Sequence, residues 1–379
     1  MELIIGILVG LIILVLLVVV HELGHAIVAH RNGVVVEEFG IGFPPKAWGK
    51  KLKNGVLFTI NWLPLGGFVK LQGENDSASK KGDYGAASFW VKTKILLAGV
   101  LVNWVVAAIL LSVLAVSGLP KILPNQFTVP SDASIVTEPV KLMSLVDNYP
   151  AKDADFKVYD EILRFDGKEV KTQQQLIDFT TEYRGKTVKI VYSRGNVEAE
   201  KSVTLKNNDK ANFGASLSQQ ERIKATWSAP IVGVATTGQF TWVTLQGLGD
   251  LVANFGKGLV LQLSPDAGVR KTGSENLETA SSSVAGPIGI LGVIFPSARE
   301  AGATELLFLT AIISLTLAVM NVLPIPALDG GRWFLMVLFR LRKKELTKEK
   351  EEKIVGISFM ILMGLVVLVT IADVGKLFK

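Results

Sequence analysis

Cysteine is absent from the chain, and with it go disulfides, thiolate nucleophiles and thiolate metal ligands. The absence does not fix the compartment. Histidine is nearly as scarce, at 3 among 379 residues. A large charge of one sign is also lacking: 40 Lys and Arg face 34 Asp and Glu, which leaves +6. That excess is too small for a phosphate-tracking surface, and no nucleic-acid partner is expected. What the chain has in plenty is apolar side chains, 49% of the total. Its mean hydropathy of +0.40 lies above that of ordinary soluble domains.

A helix needs about 20 apolar residues to cross a bilayer. Four stretches qualify and are expected to be transmembrane helices: 1–30, 95–118, 305–331 and 354–372. The first has neither the basic start nor the small-residue cleavage site of a signal peptide, so it is expected to be retained. Ten Lys and Arg lie between 31 and 94, and a second basic cluster runs from Arg332 to Lys353. Both loops should therefore be cytoplasmic, with both termini and the segment 119–304 outside. The clustering beside oily segments also implies contact with a lipid surface. The uncharged stretch 229–249 is rich in threonine and glycine. It is expected to belong to an amphipathic helix, 225–263, lying on the outer surface.

Residues 31–94 are expected to form a membrane-associated sheet on the cytoplasmic side. Asn54-Gly55 is a strong hairpin signal between strands at 46–52 and 56–62. A second turn at 64–67, containing Gly66 and Gly67, leads into 68–71. Such a sheet is either a plain cytoplasmic hairpin or an edge that captures an extended peptide as an added strand. Residues 125–208 form an α+β unit with strands at 141–146, 160–165, 188–192 and 197–205 and a helix at 173–183. This unit resembles a PDZ domain, although Asp155 and Tyr159 stand where that family's pattern has glycines. Residues 264–304 are expected to be a mobile loop, polar and turn-rich over 264–283, that includes the element Gly286-Pro287-Ile288-Gly289.

The chemistry is concentrated in two short motifs. His21-Glu22-Leu23-Gly24-His25 closes the first apolar run, and its two histidines lie four residues apart on one helical face. They can chelate one Zn2+, with Glu22 beside them as general base. Catalytic zinc usually has three protein ligands and an open position. The third span ends in Asn321-Val322-Leu323-Pro324-Ile325-Pro326-Ala327-Leu328-Asp329-Gly330-Gly331. Its prolines break the helix next to an aspartate, as expected where unwound backbone lines a cavity at membrane depth. Asp329 is accordingly the third candidate ligand. Asn321, Pro324 and Pro326, with Gly66 and Gly67, are candidates for holding an extended substrate. His30 fits a plain interfacial residue. Two other classes remain open at this point, a membrane-bound scaffold with a degenerate metal site and a metal transporter.

Together these features resemble the site-2 protease family of intramembrane zinc metalloproteases, within it the regulator of sigma-E protease type. The resemblance covers nearly the whole chain. It implies zinc held by His21, His25 and Asp329, catalysis by Glu22, and a multi-pass protein of the bacterial cytoplasmic membrane with an extracytoplasmic PDZ-like domain. The implied substrates are single-span membrane proteins such as anti-sigma factors or signal-peptide remnants, cut after an upstream site-1 protease has acted. Gly99 to Asn103 resembles a G-P-x-x-N pattern, with Val100 in place of the proline. Gly286 to Gly289 resembles a G-P-[VI]-G element near the membrane surface. Relatives often carry two tandem PDZ units, and this chain has room for one.

Overall fold

The computed structural model describes residues 2–195, 197–207, 212–282 and 284–377. In chain order the elements begin with α1 (Glu2–Arg31), β1 (Val36–Lys51), β2 (Leu57–Leu71) and α2 (Phe89–Ser117). A small α+β unit follows, from β3 (Leu119–Pro120) and β4 (Ser134–Thr137) through β5 (Val140–Leu145), α3 (Pro150–Asp153), β6 (Glu161–Phe165), β7 (Lys168–Glu169), α4 (Gln173–Glu182), β8 (Thr187–Arg194) and β9 (Val197–Thr204) to β10 (Ala215–Ser218) and β11 (Glu221–Lys224). Then come α5 (Ala229–Gln262), α6 (Ala267–Ser282), α7 (Pro287–Gly289), a π-helical turn (Ile290–Ile294), α8 (Phe295–Ala301), α9 (Ala303–Val322), α10 (Asp329–Leu341) and α11 (Lys348–Leu377). The chain divides into two compact units, Leu114–Val232 and the remainder.

In the larger unit, four helices among the described residues are long and apolar enough to cross a membrane: Glu2–Arg31, Phe89–Ser117, Ala303–Val322 and Lys348–Gly375. They match the four expected spans, with one difference. The third span ends at Val322, and Asp329 opens a separate helix, α10, rather than continuing the span to 331. Pro324 and Pro326 have no N–H to donate and favour extended backbone before them, which terminates α9.

The sheet of this unit is made by two long bent strands. Residues 46–51 of β1 pair with 57–61 of β2, while 38–41 pair with 57–60 on one side and 67–70 on the other. The far segment of β2, from Gly67 to Leu71, is thereby an outer edge, and it packs against α1. The expected hairpin at 46–62 is present. The segment 36–41, within the expected β region but given no strand of its own, lies beside 57–61 as one of the two inner segments of the sheet.

The segment 264–304 is not a loop. It is mostly helical, because contacts made with other elements outweigh its modest intrinsic preference. The side chain of Asp266 accepts hydrogen bonds from the N–H groups of Gly268 and Val269 and caps α6. Gln262 donates to the carbonyl of Arg270 and to Ser274, tying α6 back onto α5. Farther along, Phe295 and Pro296 of α8 fill the surface of α1 at Gly6 and Gly10. A Cβ on Gly10 would lie 2.6 Å from the Phe295 ring, and one on Gly6 would lie 2.7 Å from Pro296 Cα. These two glycines, four residues apart on α1, admit a neighbouring segment to the helix backbone. Asp373, buried near the end of α11, accepts the Gly289 N–H at 2.8 Å. This contact gives the Gly-Pro-Ile-Gly element its place.

Helix α5 also departs from a helix resting wholly on the surface. Its Gly233 meets Ser112 of α2, Thr241 accepts the Trp104 indole N–H at 3.1 Å, and Phe240 packs edge-on against Phe308 of α9. Each step along α5 is matched by an equal step backwards along α2, so the two helices run antiparallel over this stretch.

The smaller unit is built on a sheet of order β10-β5-β6-β8-β9, with β7 paired to β6 and α4 beside it. Its core gathers Leu142, Phe156, Ile162, Phe165, Leu176 and Ile190. The expected boundary at 208 omits β10, which pairs with β5 and closes the sheet. A strand of 4 residues has too short an alternation to be read without its partner. Asp155 and Tyr159, the two glycine replacements, adopt φ of +58° and +72°. The backbone therefore keeps a glycine-like path at both positions.

If α8 is docked as described, Gly10→Leu forces Phe295 out of a filled space and should destabilise the protein by about 1–3 kcal/mol. Thermal unfolding in detergent reads this as a lowered midpoint, with Gly10→Ala intermediate. An unchanged midpoint in the leucine variant would contradict the packing.

Candidate metal centre

Helix periodicity puts His21 and His25 on one face of α1, both buried. Their Nε2 atoms stand 3.2 Å apart. Asp329 Oδ2 lies 3.0 Å from His21 Nε2 and 3.2 Å from His25 Nε2. Residues 308 positions apart thus converge on one point.

Two local features bring the aspartate there. Leu328 is extended, with φ −109° and ψ 163°, so Asp329 enters as the first residue of α10. Gly330 and Gly331 then let the first turn of α10 press against backbone, since a Cβ at either would collide with Val322 or with the Ile325 carbonyl. Helix α2 closes the third side. A Cβ on Gly99 would sit 2.5 Å from His25 Nε2 and 2.6 Å from His21 Nε2.

The donor chemistry fits a divalent cation. His25 Nδ1 is 2.7 Å from the Ile95 carbonyl, an acceptor, so Nδ1 carries the proton and Nε2 of the neutral ring offers a lone pair. That lone pair, the Asp329 carboxylate and His21 Nε2 converge on one point, as the ligands of a single cation would. Tetrahedral ligands about 2.0–2.1 Å from zinc lie roughly 3.3 Å from one another, close to the spacing found. Two histidines and one carboxylate also leave a fourth position free.

Glu22 lies beside this cluster and accepts the Val69 N–H of the β2 edge at 3.1 Å. A cavity of about 220 Å³ adjoins it, lined by Glu22, His25, Val69, Tyr84, Asp329 and Arg332 among others. Burial pushes the Tyr84 phenol well above its usual range, so its hydroxyl stays protonated and can donate. Arg332, one turn beyond Asp329, donates to the Glu74 side chain at 3.1 Å, to the Glu74 carbonyl at 2.9 Å and to Glu351 at 3.4 Å. These bonds fasten the start of α10 to the loop after β2 and to α11. Sequence reasoning assigned no role to Tyr84 and counted Arg332 only in the basic cluster that orients the chain; its i, i+3 spacing from Asp329 is the one local signal that could have placed it near the site.

The other expected site residues are placed as follows. Gly66 and Gly67 lie against α1, near Val18 and near Val19 and Glu22 respectively. Asn321 Nδ2 donates to the Leu317 carbonyl of its own helix at 2.9 Å, rather than toward the cluster. Pro324 is exposed and Pro326 half-buried in the break, and His30 is exposed at the end of α1.

Gly99→Ala should lower the retained metal by roughly tenfold or more, because the methyl group occupies the space of both imidazole tips. Metal content after purification, compared with helix content by circular dichroism, reads this. Full occupancy in the alanine variant would contradict the arrangement.

Residues 9–365 match the model of peptidase family M50. A Clostridium perfringens chain provisionally named a zinc metalloprotease is 34% identical over 94% of this chain and 95% of its own length. The Bacillus subtilis regulator of sigma-W protease RasP is 26% identical over 96% of each chain. The crystal structure of a PDZ domain of an SdrC-like protein from Listeria monocytogenes is 32% identical, covers 21% of this chain and 87% of that one, and has a TM-score of 0.20. With a family match spanning all but its ends and full-length relatives named for zinc-dependent proteolysis, the chain belongs to peptidase family M50 and is a zinc metalloprotease.

Proposed function

We propose that this M50 peptidase hydrolyses peptide bonds within or near the transmembrane segments of single-span membrane proteins. The observation that carries this reading is the convergence of His21, His25 and Asp329 next to Glu22, with both histidines on a helix apolar enough to cross a bilayer. In this reading His21, His25 and Asp329 would hold the zinc, which when bound would supply Lewis acidity toward the scissile carbonyl and the attacking water. Glu22 takes the proton and returns it to the leaving amine. The Val69 N–H fixes the carboxylate of Glu22 in the meantime.

A transmembrane helix hides its carbonyls in i→i−4 hydrogen bonds and must unwind before attack. The outer edge of β2 from Gly67 to Leu71 suits this need. An extended peptide added there as a strand would pass beside Glu22. Gly66 and Gly67, lacking side chains, keep that approach open. Pro324 and Pro326 prevent the Asp329 segment from returning to helix. Asn321 joins substrate binding only by exchanging its bond to Leu317 for one to the substrate backbone.

The Lys and Arg distribution supports an N-out, C-out protein of the bacterial cytoplasmic membrane, with the smaller α+β unit extracytoplasmic. This unit acts as a PDZ-like size filter that blocks substrates until an upstream site-1 protease has trimmed them. The sigma-W regulator relative favours anti-sigma factors as substrates, and signal-peptide remnants fit the same chemistry.

Glu22→Gln keeps the side chain's size and removes the base. It should lower cleavage of a transmembrane test substrate by at least about 100-fold with zinc content unchanged. Cleavage at the normal rate would refute the assigned role. Replacing 119–224 with a short linker should permit cleavage of an untrimmed substrate, and unchanged selectivity would point to a filter elsewhere in the chain.

A further inference from the structure

His25 shows how this site fixes a ring. Its Nδ1–H is given to the Ile95 carbonyl, and Nε2 is left for the metal. His21 faces the same requirement, because its Nε2 points at Asp329 and its Nδ1 points away. The group beside that Nδ1 is the side chain of Asn103, 3.4 Å away. Asn103 is 1% exposed, and its Oδ1 has no hydrogen-bond partner in a site where unpaired polar atoms are costly. The amide as oriented turns Nδ2 toward His21 and leaves the oxygen idle. Half a turn about the last side-chain bond exchanges the two atoms with almost no change of shape. It sets the idle acceptor against the Nδ1–H that a metal-binding His21 must carry.

We propose that Asn103 is the positioning residue of His21, accepting the Nδ1–H through Oδ1 and so presenting Nε2 to the zinc. The two orientations of the amide correspond to the two tautomers of the ring. With Nδ2 toward His21, the proton belongs on Nε2 and points at the Asp329 carboxylate, which is the metal-free arrangement. With Oδ1 toward His21, the lone pair belongs on Nε2, which is the metal-binding arrangement. Asn103 is well held for this task. Its backbone carbonyl accepts the Ser314 hydroxyl at 2.8 Å in a buried contact, which ties α2 to α9 beside His21. Gly99, one turn earlier on α2, brings the helix close enough for the amide to reach the ring.

The inference rests on His21, His25 and Asp329 being the zinc ligands, and the experiment separates the two. Zinc affinity of the full-length protein in detergent is measured by chelator competition for the unaltered chain, His21→Ala, Asn103→Leu and Asn103→Asp. Absorption spectra of the cobalt-substituted forms report ligand geometry. Tight zinc binding by His21→Ala would reject the ligand set itself. Given its loss there, Asn103→Leu should bind zinc roughly 10–100-fold more weakly. Asn103→Asp, which can only accept, should retain wild-type affinity and a wild-type cobalt spectrum. Undiminished affinity in Asn103→Leu overturns the proposal. So does loss of zinc or of the fold in Asn103→Asp, whether or not the leucine variant folds.

Discussion

Two imidazoles and a carboxylate meet at one point inside a molecule with four helices apolar enough to cross a membrane, and the larger unit is arranged around that meeting. A carboxylate and two imidazoles facing one another are costly to bury unless something compensates them. A cation held where the three groups converge would supply that compensation, and the surrounding elements fix the convergence. Helix α1 supplies two donors on one face, α10 supplies the third from its first residue, and α2 closes over them without a side chain at Gly99. Each of these elements is constrained by what it must not carry.

In lipid, helices gain little from burying apolar surface against each other, so contact depends on backbone approach and polar ties. Both are found where the elements meet. Gly330 and Gly331 allow the first turn of α10 to lie on the backbone of the preceding break, while Arg332 is fastened to Glu74 and Glu351 on the same helix one turn later. At the other end of α1, Gly6 and Gly10 receive Pro296 and Phe295. Helix α1 is thus pinned at its start by packing and near its end by the His21, His25 and Asp329 cluster, which limits the rotation that would separate Nε2 atoms from carboxylate.

The edge of β2 connects this rigid centre to the substrate problem. A sheet edge offers unpaired N–H and C=O groups, and in a membrane such groups must find a partner. Glu22 provides one at Val69. The same carboxylate is therefore the partner of the edge strand and the base proposed for hydrolysis, and under that proposal a peptide pairing with the edge would change the surroundings of the base as it binds.

The sequence by itself determined the elements that rest on local regularities. The four apolar runs, the i, i+4 spacing of His21 and His25, the Pro-Pro break before Asp329 and the strands around the Asn54-Gly55 turn each carry their signal within a few residues. The strand pattern of the smaller unit does so too, and the positive φ of Asp155 and Tyr159 shows a backbone path that survived the loss of glycine. What only the tertiary structure decided are the features whose cause lies far along the chain. Helix α6 exists because Gln262 and α5 hold a segment with weak preferences of its own. Strand β10 is defined by pairing with β5, and Arg332 by Glu74, 258 residues away. The buried oxygen of Asn103 gains meaning only from the ring it lies beside. Periodicity reports which face of an element is apolar, but it holds no information about which partner fills that face, and hydrogen-bond partners are chosen by the packed geometry.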